Sequence, residues 1–159
     1  MLLKNPELLN QGYIQTTFIL SEDLKVLVAQ EKWNEVDQYF QHITKKDGDL
    51  FLFLQNHHEF NCIEFIISIR DSQNEWEEDG IWHDDGSRLM AFSLSLTLNE
   101  KAIEGGILGM RKKGDITYSS ILTPAFGQII IFLTGEYGFE HKIHQVTAGK
   151  RVIIAGWCS

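Results

Sequence analysis

The 159 residues are enough for one domain with a substantial core, and a hydrophobic share of 43% excludes a disordered chain. Fourteen basic against twenty-two acidic residues give a formal net charge of −8, which disfavours a nucleic-acid backbone as the main partner; Lys45-Lys46 and Arg111-Lys112-Lys113 are too short to reverse it. Two cysteines, Cys62 and Cys158, exclude a disulfide framework or a cysteine-based zinc site. With no secretory signal and no run of transmembrane length, the expected compartment is cytoplasmic and no membrane partner is expected.

Gly12 to Leu20 has strand composition. Ser21 then caps a helix, with Glu22 and Asp23 in its first turn, where they complement the helix dipole. Leu24, Leu27 and Val28 supply its apolar face. Trp33, Val36, Phe40 and Ile43 continue at helical spacing, so a second helix covers roughly residues 32–44 before Lys46-Asp47-Gly48-Asp49 breaks it. Beyond this point the character is β. Leu50 to Leu54, Asn61 to Arg70, Leu89 to Leu98, Ile103 to Arg111 and Gly127 to Thr134 are apolar runs. His141 to Trp157 reads as two strands joined by a tight turn at Thr147-Ala148-Gly149-Lys150. A helical part over about 21–44 and a β core over about 50–157 predict a single, mainly β domain spanning 1–159, a sandwich or barrel with helices packed on one face.

Four stretches carry chemistry. In Leu89 to Leu98, Ser93, Ser95 and Thr97 share one face, which suits the inner wall of a ligand-holding barrel or, equally, a solvent-facing side. The acidic run Glu75 to Asp79 reads as a solvated loop, and the region 71–82, with Trp76 and Trp82, is placed to lie over a site that follows it. In His83-Asp84-Asp85 an extended backbone would point His83 and Asp85 the same way, able to close on one cation while Asp84 faces away. Finally, His141 and Arg151 stand in a β unit where neither is a usual choice. Two imidazoles and one carboxylate suit a facial triad on non-haem Fe(II), which leaves three coordination positions open. Alone, each piece has an ordinary reading: a turn, a satisfied histidine, a surface arginine. Their appearance together in one order argues otherwise.

That ordered set resembles the 2-oxoglutarate- and Fe(II)-dependent oxygenase superfamily, with the prolyl-hydroxylase-like branch the best match. The matching residues are His83 and Asp85, Gly105-Gly106, His141, Val146, Gly149, Arg151 and Gly156-Trp157, with Arg88 to Asn99 similar to a strand of that family. The resemblance implies a double-stranded β-helix (jelly-roll) in which His83, Asp85 and His141 bind Fe(II). The co-substrate 2-oxoglutarate would chelate the metal, Arg151 would receive its distal carboxylate, and O2 would take the last position. It further implies hydroxylation of an unidentified substrate, a small molecule or a protein side chain, with release of succinate and CO2. A carboxylate at Asp85 favours hydroxylation over halogenation. Ser95 and Thr97 would belong to the co-substrate wall, Thr97 standing where many relatives place a tyrosine. His141 has the family's ten-residue spacing to Arg151, whereas His144 does not and reads as a rim histidine. His42, His57 and His58 read as surface or loop residues. Two other readings stay open: a non-catalytic jelly-roll module binding a metal or small molecule, and a cupin-like metalloenzyme that does not use 2-oxoglutarate.

Overall fold

The computed structural model describes all of residues 1–159. Its N-terminal part holds α1 (Leu8–Gln11), β1 (Tyr13–Thr17), α2 (Glu22–Ala29), α3 (Trp33–Ile43) and α4 (Asp49–Gln55). The β part follows as β2 (Ile63–Arg70), β3 (Met90–Ser95), β4 (Glu104–Gly105), β5 (Leu108–Lys112), β6 (Ser119–Ile121), β7 (Gln128–Leu133), β8 (Phe139–Ile143), β9 (Val146–Ala148) and β10 (Arg151–Cys158). The Ser21 hydroxyl accepts the Leu24 N–H at 3.2 Å and starts α2 as its sequence predicts, a cap worth about 1 kcal/mol.

One antiparallel sheet has the order β1-β7-β3-β10-β2; opposite it stand the three strands β6-β5-β8 and the pair β4-β9. This is the mainly β, jelly-roll arrangement expected. Strand β10 is its hub, paired with β2 along its whole length and with β3 from Ile153 onward. Alternation sorts the residues of β2 and β10 onto two faces. Ile66, Ser68 and Arg70 of β2, with Arg151, Ile153 and Ala155 of β10, face a cavity between the sheets. Phe65, Ile67 and Ile69, with Val152 and Ile154, face the core under the helices, where Phe40 of α3 lies 6.1 Å from Phe65.

Two expectations are corrected. Leu50 to Leu54 is not a strand but the body of α4, with Leu50, Phe51 and Leu54 buried. Such a short apolar run carries no period that separates helix from strand, and burial at positions one, two and five of the run fits a helix face. The stretch His141 to Trp157 is not a hairpin either. Strand β8 pairs with β5, β9 with β4, and β10 with β2 and β3, so the three consecutive strands join three different sheets.

Candidate active site

His83 and Asp85 lie on the irregular segment between β2 and β3, and His141 on β8. The His83 N–H donates to the His141 carbonyl and the His141 N–H to the His83 carbonyl, both at 2.9 Å. That two-bond bridge pins the segment to the barrel. The His83 and His141 rings lie 4.2 Å apart, and one ligand atom from each of His83, Asp85 and His141 falls within 4.8 Å of the others. The Asp85 carboxylate oxygens stand 3.8 Å from His83 Nε2 and 3.4 Å from His141 Nε2. Convergence does not come from an extended backbone. Asp85 has φ 59°, in the left-handed region that aspartate tolerates better than most residues. Asp84 does face away, accepting from the Gly86 N–H at 3.1 Å and from Lys113 Nζ at 2.9 Å.

The donor set fits a divalent metal. His83 Nδ1 donates to the Ile81 carbonyl at 3.0 Å, which leaves the Nε2 lone pair toward the centre. Burial, with His83 beside it, pushes His141 down to about 3, so this ring is neutral at ordinary pH, the form a metal takes. Burial also raises the Asp85 carboxyl, and its Oδ2 is buried with no hydrogen-bond partner. A buried carboxylate oxygen without a partner costs free energy, and a cation shared with two imidazoles supplies what the protein does not.

All three side chains line a cavity of about 520 Å³, a size suited to small molecules. Arg151 lines it too. It is 3% exposed and makes no ion pair with any carboxylate of the chain. Its Nε–H donates to Thr123 Oγ1 at 3.1 Å. Burial, with Arg70 alongside, pushes the guanidinium down to about 9. It therefore stays charged at neutral pH, a buried cation awaiting an anion. Gly106 makes room for its stem: with φ 62°, a Cβ there would sit 2.9 Å from Arg151 Cδ.

Ser95 and Thr97 are not brought to this cavity. The Ser95 hydroxyl donates to the Pro124 carbonyl at 2.7 Å and accepts the Thr97 N–H at 3.2 Å. Thr97 Oγ1 donates to the Val152 carbonyl and accepts the Val152 N–H, both at 3.1 Å. Both hydroxyls are spent on backbone; the one touching Arg151 is Thr123, for which the sequence offers no signal. Ser93, on the same strand face, does line the cavity. His144 stays outside it, stacked with Tyr118 at 6.3 Å. His58 is fully buried rather than superficial, bonded to the Tyr137 hydroxyl at 2.6 Å.

The acidic run is the solvated loop expected, with Glu75, Glu77 and Glu78 exposed, but it also rims the site. Glu75, Trp76, Glu77 and Glu78 line the cavity, and Asp79 pairs with Arg70. Trp82 takes a different place, on the outer side of the three-stranded sheet. Its ring packs over Gly109, with the Arg111 guanidinium 3.9 Å and Lys142 Nζ 4.6 Å from the ring. This packing anchors the chain just ahead of His83.

Comparison with known proteins agrees with this geometry. A family model described as 2OG-Fe(II) oxygenase superfamily matches residues 71–159. A prolyl-4-hydroxylase of Pseudomonas putida is similar at 19% identity and TM-score 0.61, covering 96% of this chain and 90% of the other. A prolyl hydroxylase of Trichoplax adhaerens, in complex with a hypoxia inducible factor peptide fragment, gives 12% identity, TM-score 0.57 and coverages of 96% and 85%. A collagen prolyl hydroxylase of Paramecium Bursaria Chlorella virus-1 gives 16%, TM-score 0.54 and coverages of 92% and 88%. No curated protein matches. The chain belongs to the 2OG-Fe(II) oxygenase superfamily. It is a dioxygenase of the kind that uses Fe(II), 2-oxoglutarate and O2. No helix is long and apolar enough to cross a membrane.

Proposed function

We propose that His83, Asp85 and His141 hold Fe(II), that Arg151 takes the distal carboxylate of 2-oxoglutarate, and that the enzyme hydroxylates a small molecule or a protein side chain. The observation that carries this is one cavity presenting, at one end, two imidazole Nε2 atoms beside a partnerless buried carboxylate oxygen and, at the other, a buried arginine with no protein anion. The chemistry supplied by bound iron is oxidative decarboxylation of the co-substrate to succinate and CO2, coupled to transfer of one oxygen atom to the substrate.

The chain's own residues bind, orient and exclude. The planar guanidinium of Arg151 fixes a carboxylate through two parallel N–H donors, setting the direction from which the 2-oxo acid reaches the metal. Thr123 holds that fork by its Nε. Ile66, Ile153 and Phe132 line the cavity with apolar surface. Trp157 and the segment Glu75 to Glu78 also line it, the place for substrate contact.

Anaerobic addition of Fe(II) and 2-oxoglutarate is expected to give a weak metal-to-ligand absorption band near the visible, and admitting O2 to yield succinate. Absence of both overturns the reading.

A further inference from the structure

Arg70 and Arg151 are register partners on β2 and β10, so both guanidiniums enter the same cavity from the same sheet face. Like charges directly opposite in a sheet destabilise it. Only one of the two is compensated by the protein. Arg70 pairs with Asp79, lies 4.2 Å from the Trp76 ring centroid, and donates from Nε to Ser68 Oγ at 3.4 Å. Asp79 belongs to a compact turn in which its N–H donates to the Trp76 carbonyl at 3.0 Å and the Trp76 N–H to Asp79 Oδ2 at 3.3 Å. The turn that grips Arg70 thus sets its own anion against one of the two guanidiniums that line the cavity.

We propose that Arg70 is a second, masked guanidinium of the co-substrate's carboxylate site, and that Asp79 competes with the distal carboxylate for it. This rests on the reading that Arg151 receives that carboxylate. An anion at Arg151 and the Asp79 carboxylate on Arg70 repel each other and draw on the same pair of cations. An anion at Arg151 pulls Arg70 toward itself and weakens its hold on Asp79, loosening the 75–79 turn that walls the cavity. Linkage makes the effect reciprocal: breaking the Arg70–Asp79 pair tightens co-substrate binding by the factor through which co-substrate loosens the turn. Arg70 is accordingly a specificity residue for dicarboxylates, and the turn is released when the co-substrate is in place.

The test uses the Mn(II)-loaded full chain under anaerobic conditions, with two 2-oxo acids as ligands. One is 2-oxoglutarate; the other is 2-oxobutyrate, which can chelate the metal but has no distal carboxylate. Asp79→Asn is expected to lower the Kd for 2-oxoglutarate about tenfold, within the usual range of such couplings, and to leave 2-oxobutyrate unchanged. Arg70→Met is expected to raise the 2-oxoglutarate Kd. In the wild-type protein, 2-oxoglutarate but not 2-oxobutyrate should speed amide hydrogen exchange over residues 75–80. An unchanged or higher Kd in Asp79→Asn, slower exchange, or an equal effect from Glu77→Gln overturns the competition. If Asp79→Asn fails to fold, Trp76→Phe is the substitute, expected to lower the Kd in the same direction by a smaller factor. Failure of the underlying reading is distinguishable: Arg151→Met would then bind 2-oxoglutarate as the wild type does.

Discussion

The two ends of the cavity are built from different material. Arg151 and Arg70 stand on adjacent strands whose pairing runs unbroken from Arg151↔Arg70 to Cys158↔Ile63. His83 and Asp85 sit on irregular chain, joined to the barrel by the His83–His141 bridge and the Gly80 N–H to the Ile143 carbonyl at 2.8 Å. Sites on strands are held more closely than sites on loops. The difference suits the tasks: a dicarboxylate of fixed length needs a fixed receptor at one end, whereas a metal that exchanges ligands tolerates some give. It also separates two kinds of cost. At the metal end the protein keeps a buried carboxylate oxygen partnerless, and at the other a buried cation unpaired. Neither stabilises the fold, and under the proposed function both are met by what binds.

The sharpest way to break the contrast is at Asp85. Asp85→Ala is expected to abolish turnover and to reduce Fe(II) affinity by more than the ~10–100-fold that loss of an outer partner costs. The metal-free variant should melt no lower than the metal-free wild type, because the side chain removed was a buried acid with an unsatisfied oxygen. Isothermal titration with Fe(II) under argon and thermal melting of the metal-free proteins measure the two halves. Arg151→Met attacks the other end. It is expected to weaken 2-oxoglutarate by about 2–5 kcal/mol, the range for truncating one partner of a buried charge pair, while leaving Fe(II) affinity intact. Arg151→Lys should recover only part of the loss, since an ammonium lacks the planar fork.

Thr97 sharpens the comparison by separating scaffold from receptor. Thr97→Val keeps the shape but removes an oxygen that accepts the Val152 N–H and donates to the Val152 carbonyl. A buried N–H left unpaired costs about 1–3 kcal/mol. Chemical denaturation should show that loss, with the 2-oxoglutarate Kd unchanged. A raised Kd at constant stability would return Thr97 to the co-substrate wall.

What the sequence made legible follows the range of each signal. The convergence of His83, Asp85 and His141 on one cavity with Arg151 could be anticipated because their residue types are unusual for their elements and their order is distinctive. Strand positions were legible from β-branched runs such as Val152 to Ile154, but strand partners were not, since local pattern says nothing about which sheet β8, β9 and β10 each join. Alternation puts Ser93 and Ser95 on one face of β3, while Thr97 lies past its end. It could not say that the cavity reaches Ser93 and stops, with Ser95 and Thr97 continuing into packed structure. Arg70 was lost for a similar reason: a strand-terminal arginine before an acidic run looks like a solvated pair until β10 places Arg151 opposite it.

The smallest expected effect falls on His144, the alternative to His141. It follows the end of β8, and its amide N–H donates to the Ile107 carbonyl at 2.9 Å, a bond any residue can make. Its ring is half-buried against Tyr118 rather than directed into the cavity. His144→Ala should therefore leave Fe(II) affinity as it is and change stability by no more than about 0.5 kcal/mol, as substitutions away from special features do. The measurement matters because both histidines precede the same turn. If His144→Ala lost the metal and His141→Ala kept it, the bridge between His83 and His141 would be a structural clip only, and the metal end of the cavity would have to be sought on the outer face beside Tyr118.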